Sequence, residues 1–234
     1  MIFEWVETSP YVGIVFTVGA YMAGVALRSR WMRAWSNPLL LAVILILAGL
    51  AIFQIPYESY AAGADYISIW LTPTTVCLAI PLYERLELLK KHAWAIVAGI
   101  GTAVLTSMGL VWLWAVLLDF EHAEYVTFLP KSITTAIGMV ISEELGGYVP
   151  ITVAVIVFTG IFGSMVAEPV CRVFRITEPV AKGLAIGSAA HGIGTSKAME
   201  MGKTEGAVSG LAMVLSGVVT VFAAMLFAQF TVSM

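Results

Sequence analysis

The chain has 234 residues, of which 60% are hydrophobic and 12% charged, with a formal net charge of −3. Ordinary soluble chains carry about 25% charged residues, so this composition excludes a soluble globular domain. What remains is a polytopic, all-α integral membrane protein, read as one domain over residues 1–234. The slight acidity offers no basic surface for nucleic acid, and two cysteines, Cys77 and Cys171, make neither a disulfide framework nor a metal site.

In chain order, the opening MIFEWVETSP carries Glu4 and Glu7 and has no basic n-region. It reads as the approach to a retained first span, not as a cleaved signal peptide. A spanning helix needs about 20 mostly apolar residues. Uncharged stretches over residues 8–27, 34–57, 66–83, 93–118, 145–167 and from 206 onward supply six full spans. The third is short and holds Pro73 and Pro81, and the fourth ends with Trp112 and Trp114 as interface anchors. Two stretches, 132–142 and 183–196, are too short to cross alone and are bounded by Lys131 and Lys197. They read as two discontinuous or re-entrant helices.

Lysine and arginine bias sets orientation. Arg28, Arg30 and Arg33 place the first loop inside and the N-terminus outside. Glu58 and Asp65 then lie outside, Arg85, Lys90 and Lys91 inside, and Asp119, Glu121 and Glu124 outside. Arg172, Arg175 and Lys182 require the inside again. The span from Leu145 supplies the one crossing needed, so the 131–144 segment enters and leaves on one side.

Internal repeats are sought by self-alignment. PTTVCLAIPL (73–82) lies over PKSITTAIGM (130–139), and at the same offset Ser107-Met108 meets Ser164-Met165. A fainter copy places GIGTSKAM (192–199) over SITTAIGM (132–139), with His191 falling on Lys131. Interrupted hydrophobic segments in duplicated halves mark secondary transporters.

Two motifs carry donors. In PKSITT, Pro130 disfavours helix just before it, so a helix can start at Lys131 with its N–H groups and positive dipole end free. Ser132, Thr134 and Thr135 add hydroxyls and Lys131 a charge, a combination suited to a carboxylate or phosphate. The alternative is a lysine reaching for the headgroups. In HGIGT, Gly192 and Gly194 permit an unwound backbone, tolerated at membrane depth only inside protein or along a wet cavity. His191 could bond a substrate, carry a proton or satisfy a nearby carbonyl, and Thr195, Ser196 and Lys197 follow as further donors. Thr74 and Thr75 are candidate lining residues from the first repeat copy. In the final span, Gly206, Ser209 and Gly210 suit close packing on a neighbour. No catalytic constellation, metal set or cofactor motif stands out, so the expectation is not an enzyme.

With these motifs in view, the chain resembles the LrgB/CidB family, LrgB-like or antiholin-like membrane proteins. The resemblance rests on LTPTTVCLAIPLYERLELLKKH, LPKSITTAIGMVISEELGG, FTGIFGSMVAEP and above all ITEPVAKGLAIGSAAHGIGTSKAMEMGKTEGAVSGLAM. It implies a bacterial inner-membrane protein working with a small LrgA/CidA-like partner. Related plant plastid proteins resemble glycolate/glycerate translocators, and some bacterial relatives resemble pyruvate facilitators. The function expected is transport of small carboxylates such as pyruvate, lactate, glycolate or glycerate. The alternative is a holin- or antiholin-like regulator of murein hydrolase activity and autolysis, with homo-oligomers.

Overall fold

The computed structural model describes residues 11–30, 37–77, 79–84 and 86–230. Among these, the regular elements are all helices. Contacts divide the chain into two compact units, Met1–Cys77 and Leu78–Met234.

In the first unit, α1 (Tyr11–Arg30) packs on α2 (Pro38–Phe53) and α3 (Tyr57–Ser68), followed by α4 (Leu71–Cys77). Glycines set the approach. A Cβ on Gly13 would sit 2.6 Å from Ala64 N on α3, and one on Gly24 would sit 2.6 Å from Pro38 O on α2. Asn37 starts α2 by accepting a 2.8 Å bond from Leu39 N, with Pro38 in the first turn where no N–H is required. The expected span over 66–83 is not one continuous helix. A turn at Ile69 and Trp70 separates α3 from α4. Pro73 is the third residue of α4, so it stands where proline begins a helix and not where it continues one.

In the second unit, α5 (Ala79–Glu84) and α6 (Leu86–Lys91) precede α7 (Ala93–Leu117). Then follow α8 (His122–Phe128), α9 (Thr135–Glu144), α10 (Val149–Val173), α11 (Pro179–Met201) and α12 (Lys203–Phe227). Helices α1, α7, α10 and α12 are each long and apolar enough to cross a membrane, and α2 is apolar but has 16 residues. Among the described residues, four helices long and apolar enough to cross thus stand against the six full spans expected.

Helices α7, α9 and α10 stop in the same way. Phe120 N bonds Ala115 O at 2.9 Å, Gly147 N bonds Ser142 O at 2.7 Å and Ile176 N bonds Cys171 O at 2.8 Å. Each closes over a left-handed residue, Asp119, Gly146 or Arg175. Gly146 therefore ends α9, a place where glycine takes the left-handed conformation without strain.

The two short segments are hairpins. In α11 the backbone leaves helical geometry at His191, with φ 40° and ψ −134°. Before that point Gly183 and Gly187 abut Glu205 and Ser209 of α12, a parallel register. After it Met199 abuts Gly206 and Thr195 bonds Ser209, an antiparallel register. The chain has therefore turned back on itself, and a Cβ on Gly194 would lie 3.0 Å from Ile186 O of the first arm. In a straight helix those two residues would be about 12 Å apart. Helices α8 and α9 form the second hairpin. Tyr148 N, just beyond α9, bonds Thr127 Oγ1 of α8 at 2.8 Å.

The hairpins open at opposite ends of the long helices. Tyr125 of α8 donates a 3.0 Å bond to Phe227 O at the end of α12, whereas both arms of α11 lie against the beginning of α12. Their tips reach the middle of it. Gly192 faces Met213, ten residues from Lys203, and Ile137 faces Gly217, ten residues from Phe227. Buried hydroxyls hold the base of the first hairpin. Thr152 of α10 donates within 2.7 Å of Ser142 Oγ and 3.0 Å of Thr127 O, and all three residues are buried.

Candidate functional site

Pro130 lacks an N–H and ends α8 in a turn, in which Lys131 N bonds Phe128 O at 3.2 Å. The helix expected to begin at Lys131 begins instead at Thr135, with Thr134 as an extended N-cap whose side chain makes no capping bond. The reason is local: the Lys131 N–H is taken by the turn, and buried Ile133 pins the loop before the helix can restart. The donors at this tip are therefore side chains. Lys131 Nζ donates to Ser107 Oγ of α7 at 3.0 Å and to Ser132 Oγ at 3.1 Å, and the two hydroxyls are 3.1 Å apart. Ser107 stands ten residues from the end of α7, about 15 Å along the helix. The amine is thus held at mid-helix and is not extended toward a headgroup surface. Among the described residues no carboxylate lies within ion-pair distance of Lys131.

A small pocket adjoins this cluster. Ser107, Ser132, Ser188 and Thr220 line it together with Val104, Met108 and Leu129, and it has room for about one water molecule. Ser188 precedes the other hairpin tip by three residues, so the pocket lies where the tips meet. Thr134 and Thr135 flank Ser132 and are half-buried.

The second tip is closed. The break falls on His191 itself and not on Gly192 or Gly194. Gly194 serves the close approach of the two arms. Gly160 and Gly163 of α10 make room for the tip: a Cβ on Gly160 would lie 2.7 Å from the imidazole, and one on Gly163 2.6 Å from Ala190. The buried imidazole sits with Nε2 3.0 Å from Ile156 O, so Nε2 carries the proton and donates it. Of the three roles open to His191, satisfying a carbonyl is the one in place.

The other donors expected here are spent within the protein. Thr195 Oγ1 donates to His191 O at 2.9 Å, so Ser209 must donate across the 2.9 Å contact with Thr195. Ser196 is exposed and bonds Gly192 O. Lys197 pairs with Glu168 at 2.6 Å and with Glu200 at 3.3 Å. The GTSK run is thus not a set of free anion donors, because neighbouring carbonyls and carboxylates claim it. Thr74 belongs to the first unit, is exposed and bonds Trp70 O at 2.7 Å. The side chain of Thr75 lies outside the described residues.

The structure therefore brings Lys131 and Ser132 together with three residues not singled out in the sequence, Ser107, Ser188 and Thr220. The one sequence signal for Ser107 was its alignment with Ser164 in the repeat. A lone hydroxyl in an apolar span is otherwise indistinguishable from one bonded to its own helix.

The LrgB-like family model matches residues 17–230. The chain is 38% identical over 207 residues to a protein of Staphylococcus aureus named holin-like protein CidB, covering 88% of this chain and 90% of that one. No solved structure matches. With only helices as regular elements among the described residues, four of them long and apolar enough to cross a membrane, and with the family matched over nearly all of its length, the chain belongs to the LrgB-like family.

Proposed function

We propose that this chain is a holin-like component of the bacterial inner membrane. In this reading it alters the permeability of that membrane to small solutes and thereby influences murein hydrolase activity. It acts with a small LrgA/CidA-like partner and catalyses no reaction. The observation that carries this reading is the 38% identity to holin-like protein CidB over nearly the full length of both chains. The six-span count and the orientation expected from the lysine and arginine loops belong to the same proposal. So does an inverted internal repeat, in which α7 with hairpin α8–α9 corresponds to α10 with hairpin α11.

A second reading is favoured by one observation. Lys131 is held at mid-helix among hydroxyls, at the meeting point of two hairpins that open on opposite sides. Broken elements meeting at mid-depth are the architecture of carriers, and a cation there suits a small carboxylate such as pyruvate, lactate, glycolate or glycerate.

Proteoliposomes separate the two readings. Uptake of the four labelled acids is measured beside release of a trapped dye, with the chain alone and with the partner. Dye release without selectivity is expected of the holin-like protein. Saturable uptake of one acid without dye release identifies the carrier. Neither activity, with or without the partner, refutes both.

A further inference from the structure

We infer that the pocket where the two hairpin tips meet is a binding site for one small monoanion, held by the adjoining Lys131 with Ser107 and Ser132 on one side and enclosed on the other by Thr220 and by Ser188, whose own proton goes to Leu184 O. The inference deepens the carboxylate reading and rests on it. The argument begins with counting donors. An ammonium group carries three N–H donors and each serine hydroxyl one. Ser107 and Ser132 take two of the N–H groups, and one hydroxyl proton joins the two serines. One N–H and one O–H are left over with no acceptor among the described residues. A single carboxylate offers two oxygens and one negative charge, which matches both the leftover donors and the uncompensated cation. A dianion would leave one charge unmatched in a medium where unmatched charge is costly.

The placement adds a route. One side of the pocket belongs to the hairpin that opens at the end of α7, and the other side to the hairpin that opens at the start of α12. Each tip has its own anchor, Ser107 of α7 for one and Ile156 of α10 for the other. Among the described residues no hydrogen bond joins the two tips. The pocket holds about one water as it stands, so the tips part to admit a carboxylate, and their parting breaks none of these bonds.

The test is thiol labelling of the full chain in membrane vesicles. Cys77→Ser and Cys171→Ala remove the native thiols, and Ser188→Cys places one in the pocket. An anionic methanethiosulfonate is compared with a cationic one, with and without acetate. The anionic reagent is expected to react about tenfold faster, because Lys131 is near and only partly screened. Acetate is expected to slow the reaction. Both effects are expected to vanish in Lys131→Gln and to persist in Lys131→Arg. Ser132→Cys gives the same reading from the other tip should Ser188→Cys fail to fold.

A folded thiol variant that reacts with neither reagent, a preference that survives Lys131→Gln, or no slowing by acetate overturns the site. Acetate protection without saturable carboxylate uptake leaves the site standing and removes the carrier reading. Uptake that survives Lys131→Gln removes the site and leaves the carrier.

Discussion

Gly187→Ala against Gly210→Ala tests the packing of hairpin α11 on α12, because the two glycines sit in similar helices with opposite surroundings. A Cβ on Gly187 would lie 2.8 Å from both Cα and C of Ser209, with the Ser209 carbonyl oxygen nearer still. Ordinary contact begins at 3.4 Å, so the first arm must move by at least 3.4 − 2.8 = 0.6 Å against backbone that cannot rotate away. Overpacking of this kind costs about 1–3 kcal/mol. A Cβ on Gly210 meets nothing within 4 Å, and alanine in a helix gains up to about 1 kcal/mol over glycine. The same gain applies at Gly187, so the two variants should differ by about the overpacking cost, about 1–3 kcal/mol, with Gly210→Ala the more stable. Thermal unfolding of the purified protein in mild detergent measures this. Equal melting temperatures for the two variants, or a more stable Gly187→Ala, would refute the close parallel register between the first arm of α11 and α12.

Other expectations follow from the same geometry. Thr152→Val leaves the buried Ser142 hydroxyl and Thr127 carbonyl without their partner and should cost about 1–3 kcal/mol, whereas Thr152→Ser should keep most of the stability; chemical denaturation compares them. Arg175→Gly should stabilise by about 0.5–1 kcal/mol, since a side chain is strained at φ 53°, and Gly146→Ala at φ 83° should destabilise by a similar amount; melting curves with opposite shifts are the expected result. On the carrier reading, His191→Ala should abolish carboxylate flux by releasing the tip from Ile156 O, while the variant still folds and inserts. Thr135→Val should reduce flux through the first tip without unfolding the protein. Normal uptake by both variants removes these residues from the pathway.

How much of this was legible in the sequence depended on the kind of signal. Charge gaps located the long helices, because lipid solvation demands uninterrupted apolar length. The same gaps located both hairpins, since Lys131 and Lys197 bound segments too short to cross. The re-entrant reading of 131–144 followed from its short length together with charge bias, and Tyr148 bonded to Thr127 gives the hairpin that the reading needs. What the sequence hid was hydroxyl partnering. Thr195 and Ser107 look alike in a string of letters, yet Thr195 is consumed by His191 O and Ser209 while Ser107 faces a cation. Nor could glycine spacing show which residue would break α11. The imidazole bond to Ile156 O and the space cleared by Gly160 hold the break at His191, and both depend on α10, whose sequence lies some thirty residues away.

Helix α12 has a consequence for how the protein is made. It is the surface on which both tips rest, at Met213 and Gly217, a single helical turn apart, and it also receives Tyr125 through Phe227 O. Yet it follows both hairpins in the chain, so the ribosome delivers it after them. Until it emerges, the hydroxyl-rich segments around Ser132 and Thr195 have neither the length to span lipid nor their final partner. Insertion of this helix therefore completes the contacts of both hairpins, and a chain halted before it would leave both without the surface on which their tips rest.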